Sequence, residues 1–103
     1  MAELPTTRPS LLVRLRDARD IEAWRQFVQL YGPVVYAYGR RRGLQDADAA
    51  DLTQEVLRAV STAVTRLEYD RQRGSFGGWL FTVAHHKLHD LLARQRRPGQ
   101  GSG

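Results

Sequence analysis

The stretch Asp46-Ala47-Asp48-Ala49-Ala50-Asp51-Leu52-Thr53-Gln54-Glu55-Val56, running on to Leu67, decides how this chain folds. Leu52, Val56, Val60, Ala63, Val64 and Leu67 recur every three or four residues. That is the period of a helix that buries one face. Asp46 or Asp48 is expected to cap it, and both favour the positive end of the helix dipole. Asp48, Asp51 and Glu55 lie three and four apart, so they share a second face, flanked by Gln54 and roughly opposite the apolar stripe. No base interrupts the acids between Gly43 and Arg58. Two readings fit this acidic face: a solvated surface with a good charge pattern, or a docking face for a basic partner, whose encounter it would steer.

Working outward, helices are expected on both sides and almost no strand. Upstream, Ile21, Trp24, Phe27, Val28 and Tyr31 follow Asp20, an expected N-cap, at helical spacing. Gly32-Pro33 predicts a break, with Pro33 in the first turn of a second helix that carries Val34, Val35 and Tyr38 and ends near Arg40-Arg41-Arg42-Gly43. Downstream, residues 68–75 form a charged loop. A last helix is expected from about Ser75 to about Arg97, with Trp79, Leu80, Val83, Ala84, Leu88, Leu91 and Leu92 on its apolar face. Gly77 and Gly78 weaken its first turn by roughly 1 kcal/mol each relative to alanine. The expectation is an all-α bundle of about four helices: residues 1–19 a partly ordered lead-in, 20–97 the folded domain, and 98–103 a flexible linker or end. The predicted core is Trp24, Phe27, Tyr31, Val35, Leu52, Val56, Val60, Leu67, Trp79, Val83 and Leu88.

Composition narrows the function. At 103 residues the chain is long enough for one domain with a modest core. It has no cysteine, which excludes disulfide and thiolate-metal scaffolds and permits a reducing cytoplasm, the expected location. No apolar run approaches the roughly 20 residues of a membrane span. The net charge is +5 and the pI about 10.4, with Lys87 the only lysine among the bases. A basic, arginine-rich chain suits phosphate contacts and stacking on bases.

Four constellations carry chemistry. The acidic face is the first. The second is Tyr69, Arg71, Arg73, Ser75, Phe76 and Trp79, where arginines interleave with rings as single-stranded nucleic acid requires. Phe76 and Trp79 lie three apart, so one or both can instead seal the core, and for Trp79 that is the stronger reading by area. The third is a basic stripe of Lys87, Arg94, Arg96 and Arg97, with Arg40–Arg42 elsewhere; it would also suit a helix C-terminus without any ligand. The fourth is His85, His86, His89 and Asp90. His85 and His89 lie four apart and can share a metal, and His89-Asp90 is the dipeptide of HD-type phosphohydrolases. That signature needs a further upstream His and a later Asp, and no acid follows Asp90. A catalytic metal wants about three protein ligands and an open position. The expectation is therefore no enzyme, no metal and no cofactor.

The run Asp46 to Val56 resembles the "DAEDLTQEVF" signature of region 2 of sigma-70-type factors. Arg73-Gly74-Ser75-Phe76-Gly77-Gly78-Trp79-Leu80-Phe81-Thr82-Val83-Ala84-His85-His86-Lys87-Leu88-His89-Asp90 is similar to that family's "GSFRGWLYRIARNLALD", and Arg94 to Arg97 matches its trailing arginines. The likeness is to the small extracytoplasmic-function (ECF) type and covers about residues 20–97. It departs at His86, where the family has Asn, and at Leu57, where it often has Phe. The resemblance implies a transcription initiation module that binds core RNA polymerase and recognises and melts the promoter −10 element. It implies polymerase contacts, to the coiled coil of the largest subunit, at Asp48, Asp51, Leu52, Gln54, Glu55 and Arg58. It implies contacts to the non-template strand at Tyr69, Arg71, Arg73, Ser75, Phe76, His86, Lys87, Asp90, Arg94 and Arg97. An anti-sigma factor is a common family partner, and a second domain, region 4, usually follows, so either a truncated chain or a natural single-domain form is expected. The competing functions are a non-specific basic helical module that binds nucleic acid and, further off, a metal-dependent phosphohydrolase.

Overall fold

A computed structural model describes residues 9–65 and 76–96. They form α1 (Pro9–Arg14), α2 (Ile21–Arg41), α3 (Asp46–Thr65) and α4 (Phe76–Arg96), with no strand among the described residues. The all-α expectation holds. α3 packs between α2 and α4, and α1 lies on α2.

The predicted break at Gly32-Pro33 does not occur: α2 runs through it as one helix of 21 residues. Pro33 removes one helical hydrogen bond, at a cost of about 3 kcal/mol. Against that stands an unbroken buried row of Ala23, Phe27, Tyr31, Val35 and Gly39, spaced by four along the helix. Burying Phe27, Tyr31 and Val35 contributes roughly 1.5–3 kcal/mol each, which outweighs the defect. Pro33 itself sits on the exposed side, so its ring displaces no core atom. The N-cap reading at Asp20 holds: its Oδ1 accepts from the Ala23 N–H at 3.1 Å. Ile21, expected on the apolar face, is 72% exposed.

α2 ends in a left-handed glycine turn. Gly43 has φ +92°, its N–H donates to the Arg40 carbonyl at 3.1 Å, and the Leu44 N–H donates to the Gly39 carbonyl at 3.1 Å. This pair of reversed bonds satisfies the last carbonyls of α2 and folds Leu44 back onto Gly39. A Cβ on Gly39 would stand 3.2 Å from Leu52 Cδ2 and 3.3 Å from Leu44 Cδ1, so the missing side chain is what lets α3 approach. α3 then starts at Asp46, which puts Asp46 and Asp48 inside its first turn rather than at the cap position predicted for them. They still oppose the dipole there.

The core joins Phe27, Tyr31 and Val35 of α2 to Leu52, Val56 and Val60 of α3 and Leu80, Ala84 and Leu88 of α4. Leu57, at the position where the resemblance departs, is buried too. Trp24, Trp79 and Val83, predicted as core, are half-buried and pack against its edge. Leu67 lies outside the described residues. The lead-in contributes more than the sequence suggested: Leu11 and Leu15 are buried, and Arg14 pairs with Asp20 at 2.9 Å. That guanidinium, followed by the Ala23 N–H, holds the Asp20 carboxyl below its ordinary value.

Candidate functional site

α3 presents its acids along the edge away from α2. Asp51 is exposed and has no hydrogen bond or ion pair among the described residues. Gln54 and Arg58 are exposed beside it. Asp48 and Glu55, by contrast, are half-buried and engaged by α4. Gln95 Nε2 donates to Asp48 Oδ2 at 3.1 Å, and Arg94 Nη2 donates to Glu55 at 3.2 and 3.3 Å. Asp46 turns the other way and accepts from the Tyr36 hydroxyl, which raises the Tyr36 pKa. The acidic edge is therefore graded: among the described residues Asp51 has no partner, and Asp46, Asp48 and Glu55 each have one.

Leu52 takes the core place that its spacing predicts, while the resemblance gives it a polymerase contact. It is fully buried, packed under the Gly39 crossing, so it supports the acidic edge from below and offers no atom to a partner. Phe76 takes the core alternative of its two readings. It opens α4 and is buried, with its ring centroid 5.3 Å from Tyr31, 5.9 Å from Phe27 and 5.6 Å from Trp79. The rings of Tyr31 and Phe27 meet it edge-on, an arrangement that adds roughly 0.5–1.5 kcal/mol per pair beyond area. A ring committed to that cluster is not a platform for a base.

The remaining DNA-binding expectations fall in two groups. Tyr69, Arg71, Arg73, Ser75 and Arg97 lie outside the described residues. His86, Lys87, Asp90 and Arg94 lie on α4: His86, Asp90 and Arg94 exposed, Lys87 half-buried. Lys87 lines an open trough of about 300 Å³ with Glu55, Arg58, Ala59 and Thr62 of α3. Where they fall on described residues, the two predicted surfaces adjoin along the α3–α4 seam, and Arg94 bonded to Glu55 is where they join. The i, i+4 spacing within each helix was readable, but nothing local foretold a partner 39 residues away.

His85 and His89 sit edge to face with centroids 4.5 Å apart. Among the described residues no three His, Asp or Glu are placed together to hold a metal. No described helix is long and apolar enough to cross a membrane. A surface feature lies outside the predicted site residues: on the other flank of α4, Phe81, Thr82 and His85 face Tyr38 of α2 and Arg42, the residue after it, across a groove.

The sequence profile of sigma-70 region 2 matches residues 27–98. The chain is 28% identical over 89 residues to the ECF RNA polymerase sigma factor RpoE of Cereibacter sphaeroides, covering 86% of this chain and 48% of that protein. It spans about half the length of that curated relative. No solved structure matches at a significant level.

Proposed function

Because the chain belongs to the sigma-70 region 2 family, of the ECF type, we propose that it is the part of a transcription initiation factor that grips core RNA polymerase and holds the opened −10 element of a promoter. Asp51, Gln54 and Arg58 form the exposed line of contact to the polymerase coiled coil, with Asp48 and Glu55 behind them. The observation that carries this reading is Asp51. It is an exposed carboxylate with no hydrogen bond or ion pair among the described residues, on a helix whose opposite side is core. A charge so placed steers a cationic partner and sets its register. The non-template strand is assigned to residues 69–75 and to His86, Lys87, Asp90, Arg94 and Arg97. The module itself performs no chemistry; bond formation belongs to the polymerase.

The test is co-purification with core polymerase. Replacing Asp51, Gln54 and Glu55 together with alanine should reduce retention at least about tenfold, the scale of a lost hot spot, with an unchanged circular dichroism spectrum. Undiminished retention would reject the polymerase assignment and favour a basic module that binds nucleic acid by itself. The strand assignment is tested with Arg71→Ala and Arg73→Ala on a single-stranded −10 oligonucleotide. Phe76 is left intact in that test, since its removal would damage the core.

A further inference from the structure

The histidines of α4 divide between two faces. His85 and His89 stand about one turn apart on the same flank, both exposed, and meet edge to face with ring centroids 4.5 Å apart. His86 follows His85 about 100° round the helix, and its centroid is 6.3 Å from that of His85. Two histidines four apart on one helical face are the pair from which helical zinc sites are built. The folded helix already brings both imidazoles to one place, so an ion meets two ligands without ordering any backbone.

The pair is also oriented from α2. Tyr38 packs against the core, which fixes its ring. Its hydroxyl stands 3.5 Å from His85 Nδ1, at the limit of a hydrogen bond. No hydrogen bond or ion pair engages Nε2 of His85, or either ring nitrogen of His89, among the described residues. With Nδ1 donating to the Tyr38 oxygen, Nε2 carries the lone pair of the neutral ring. Metal-bound histidines are held in this way, by a partner on the nitrogen that does not bind the metal. Each ligating nitrogen must come within about 2.0–2.1 Å of the ion. Exposed rings already 4.5 Å apart reach that by rotating about their side-chain bonds.

We propose that His85 and His89 bind one divalent transition-metal ion of the nickel, copper and zinc group, with water completing its coordination and Tyr38 positioning the His85 ring. Imidazole nitrogen selects these ions over magnesium and calcium, which take oxygen ligands. Among the described residues no third His, Asp or Glu joins the pair, and no carboxylate lines the adjoining groove. Two protein ligands fall short of the roughly three that hold a catalytic metal, so the ion is exchangeable. The Arg42 guanidinium lies 4.9 Å from the centre of the Tyr38 ring. Its charge opposes a dication, which keeps the affinity modest. The pair lies on the flank of α4 away from the acids of α3, so the polymerase reading neither needs the ion nor falls with it.

The test titrates the full chain, without a histidine tag, with zinc chloride and with nickel chloride by calorimetry, and with magnesium chloride as a control. Zinc and nickel should each bind at one ion per chain, and magnesium should not bind. His85→Gln and His89→Gln replace exposed side chains and should each weaken binding more than about tenfold, the least that losing an outer-shell partner costs. His86→Gln should keep the metal. Tyr38→Phe should weaken binding by less than either ligand replacement. Arg42→Gln should strengthen it, an effect that damage to the fold could not produce. On adding zinc, the ring nitrogen signals of His85 and His89 should shift together in NMR. No binding by the parent would overturn the proposal. So would a loss in His86→Gln equal to that in His85→Gln, or metal retained when His85 and His89 are both replaced. Equal binding of magnesium would also overturn it, because oxygen ligands would then hold the ion.

Discussion

The two flanks of α4 differ in what their cations face. On one flank Arg94 and Gln95 lie against α3 and meet Glu55 and Asp48. On the other, the ring of Tyr38 meets Arg42, and no carboxylate lines the groove. Both flanks read as basic or polar in sequence. One is satisfied within the molecule, so a ligand there must first displace an internal partner. The other keeps its charge available. A basic stripe therefore says little about binding until the acids it folds against are known.

The scaffold beneath the comparison is the first thing to break. Leu52→Ala should cost about 2–5 kcal/mol of stability, read from chemical denaturation, and should impair both flanks together. A smaller loss would mean that α3 does not anchor them. Gly43→Ala forces a side chain into the left-handed turn after α2 and should cost about 1–2 kcal/mol. Because that turn aims Leu44 at Gly39, the same variant should loosen the α2–α3 crossing, visible as faster amide exchange at the start of α3.

A double-mutant cycle sharpens the contrast itself. Glu55→Gln and Arg94→Ala should show a coupling of at most about 1 kcal/mol, fading with salt, as expected for a pair left partly in water. Arg42→Gln combined with Glu55→Gln should show none. A coupling of several kcal/mol between Glu55 and Arg94 would mark the seam as rigid and closed to ligands.

The smallest effect is at Asp20. Arg14 and then the Ala23 N–H favour its ionised form in the folded chain, so its pKa is lower there than in the unfolded chain. Its contribution is complete above the ordinary carboxylate range and is lost as pH falls through the lowered folded value. Asp20→Asn should therefore lose stability relative to the parent at neutral pH, and the gap should close in acid. A gap that persists once the folded-state carboxyl of Asp20 is itself protonated, as followed by NMR, would assign the effect to packing instead.

Much of this was legible beforehand. The period through Leu52, Val56 and Val60 gave α3, and the row from Leu80 to Leu91 gave α4 within about a residue at each end. The motifs around Asp51 and Trp79 pointed to the family that the profile match then established. One reading failed outright, and burial qualifies two others. The break expected at Pro33 is overridden by the buried row on either side of it. Leu52 is buried as its spacing predicts, and Phe76 takes the core place that its spacing left open, so neither ring nor side chain shows the surface role that the resemblance implies. α1 escaped notice because its helix is short and only its packing against α2 makes it stable.

Sequence alone determined the helical periods, the acidic run and the family motifs, since each depends on neighbours within a turn or two of the chain. Tertiary structure decided which charges remain free. Asp48 with Gln95, Glu55 with Arg94, and Tyr38 with His85 are separated by 47, 39 and 47 residues. Such pairs exist only once α2, α3 and α4 have packed, because the helix crossings, and not the spacing along the chain, bring them within a few ångströms.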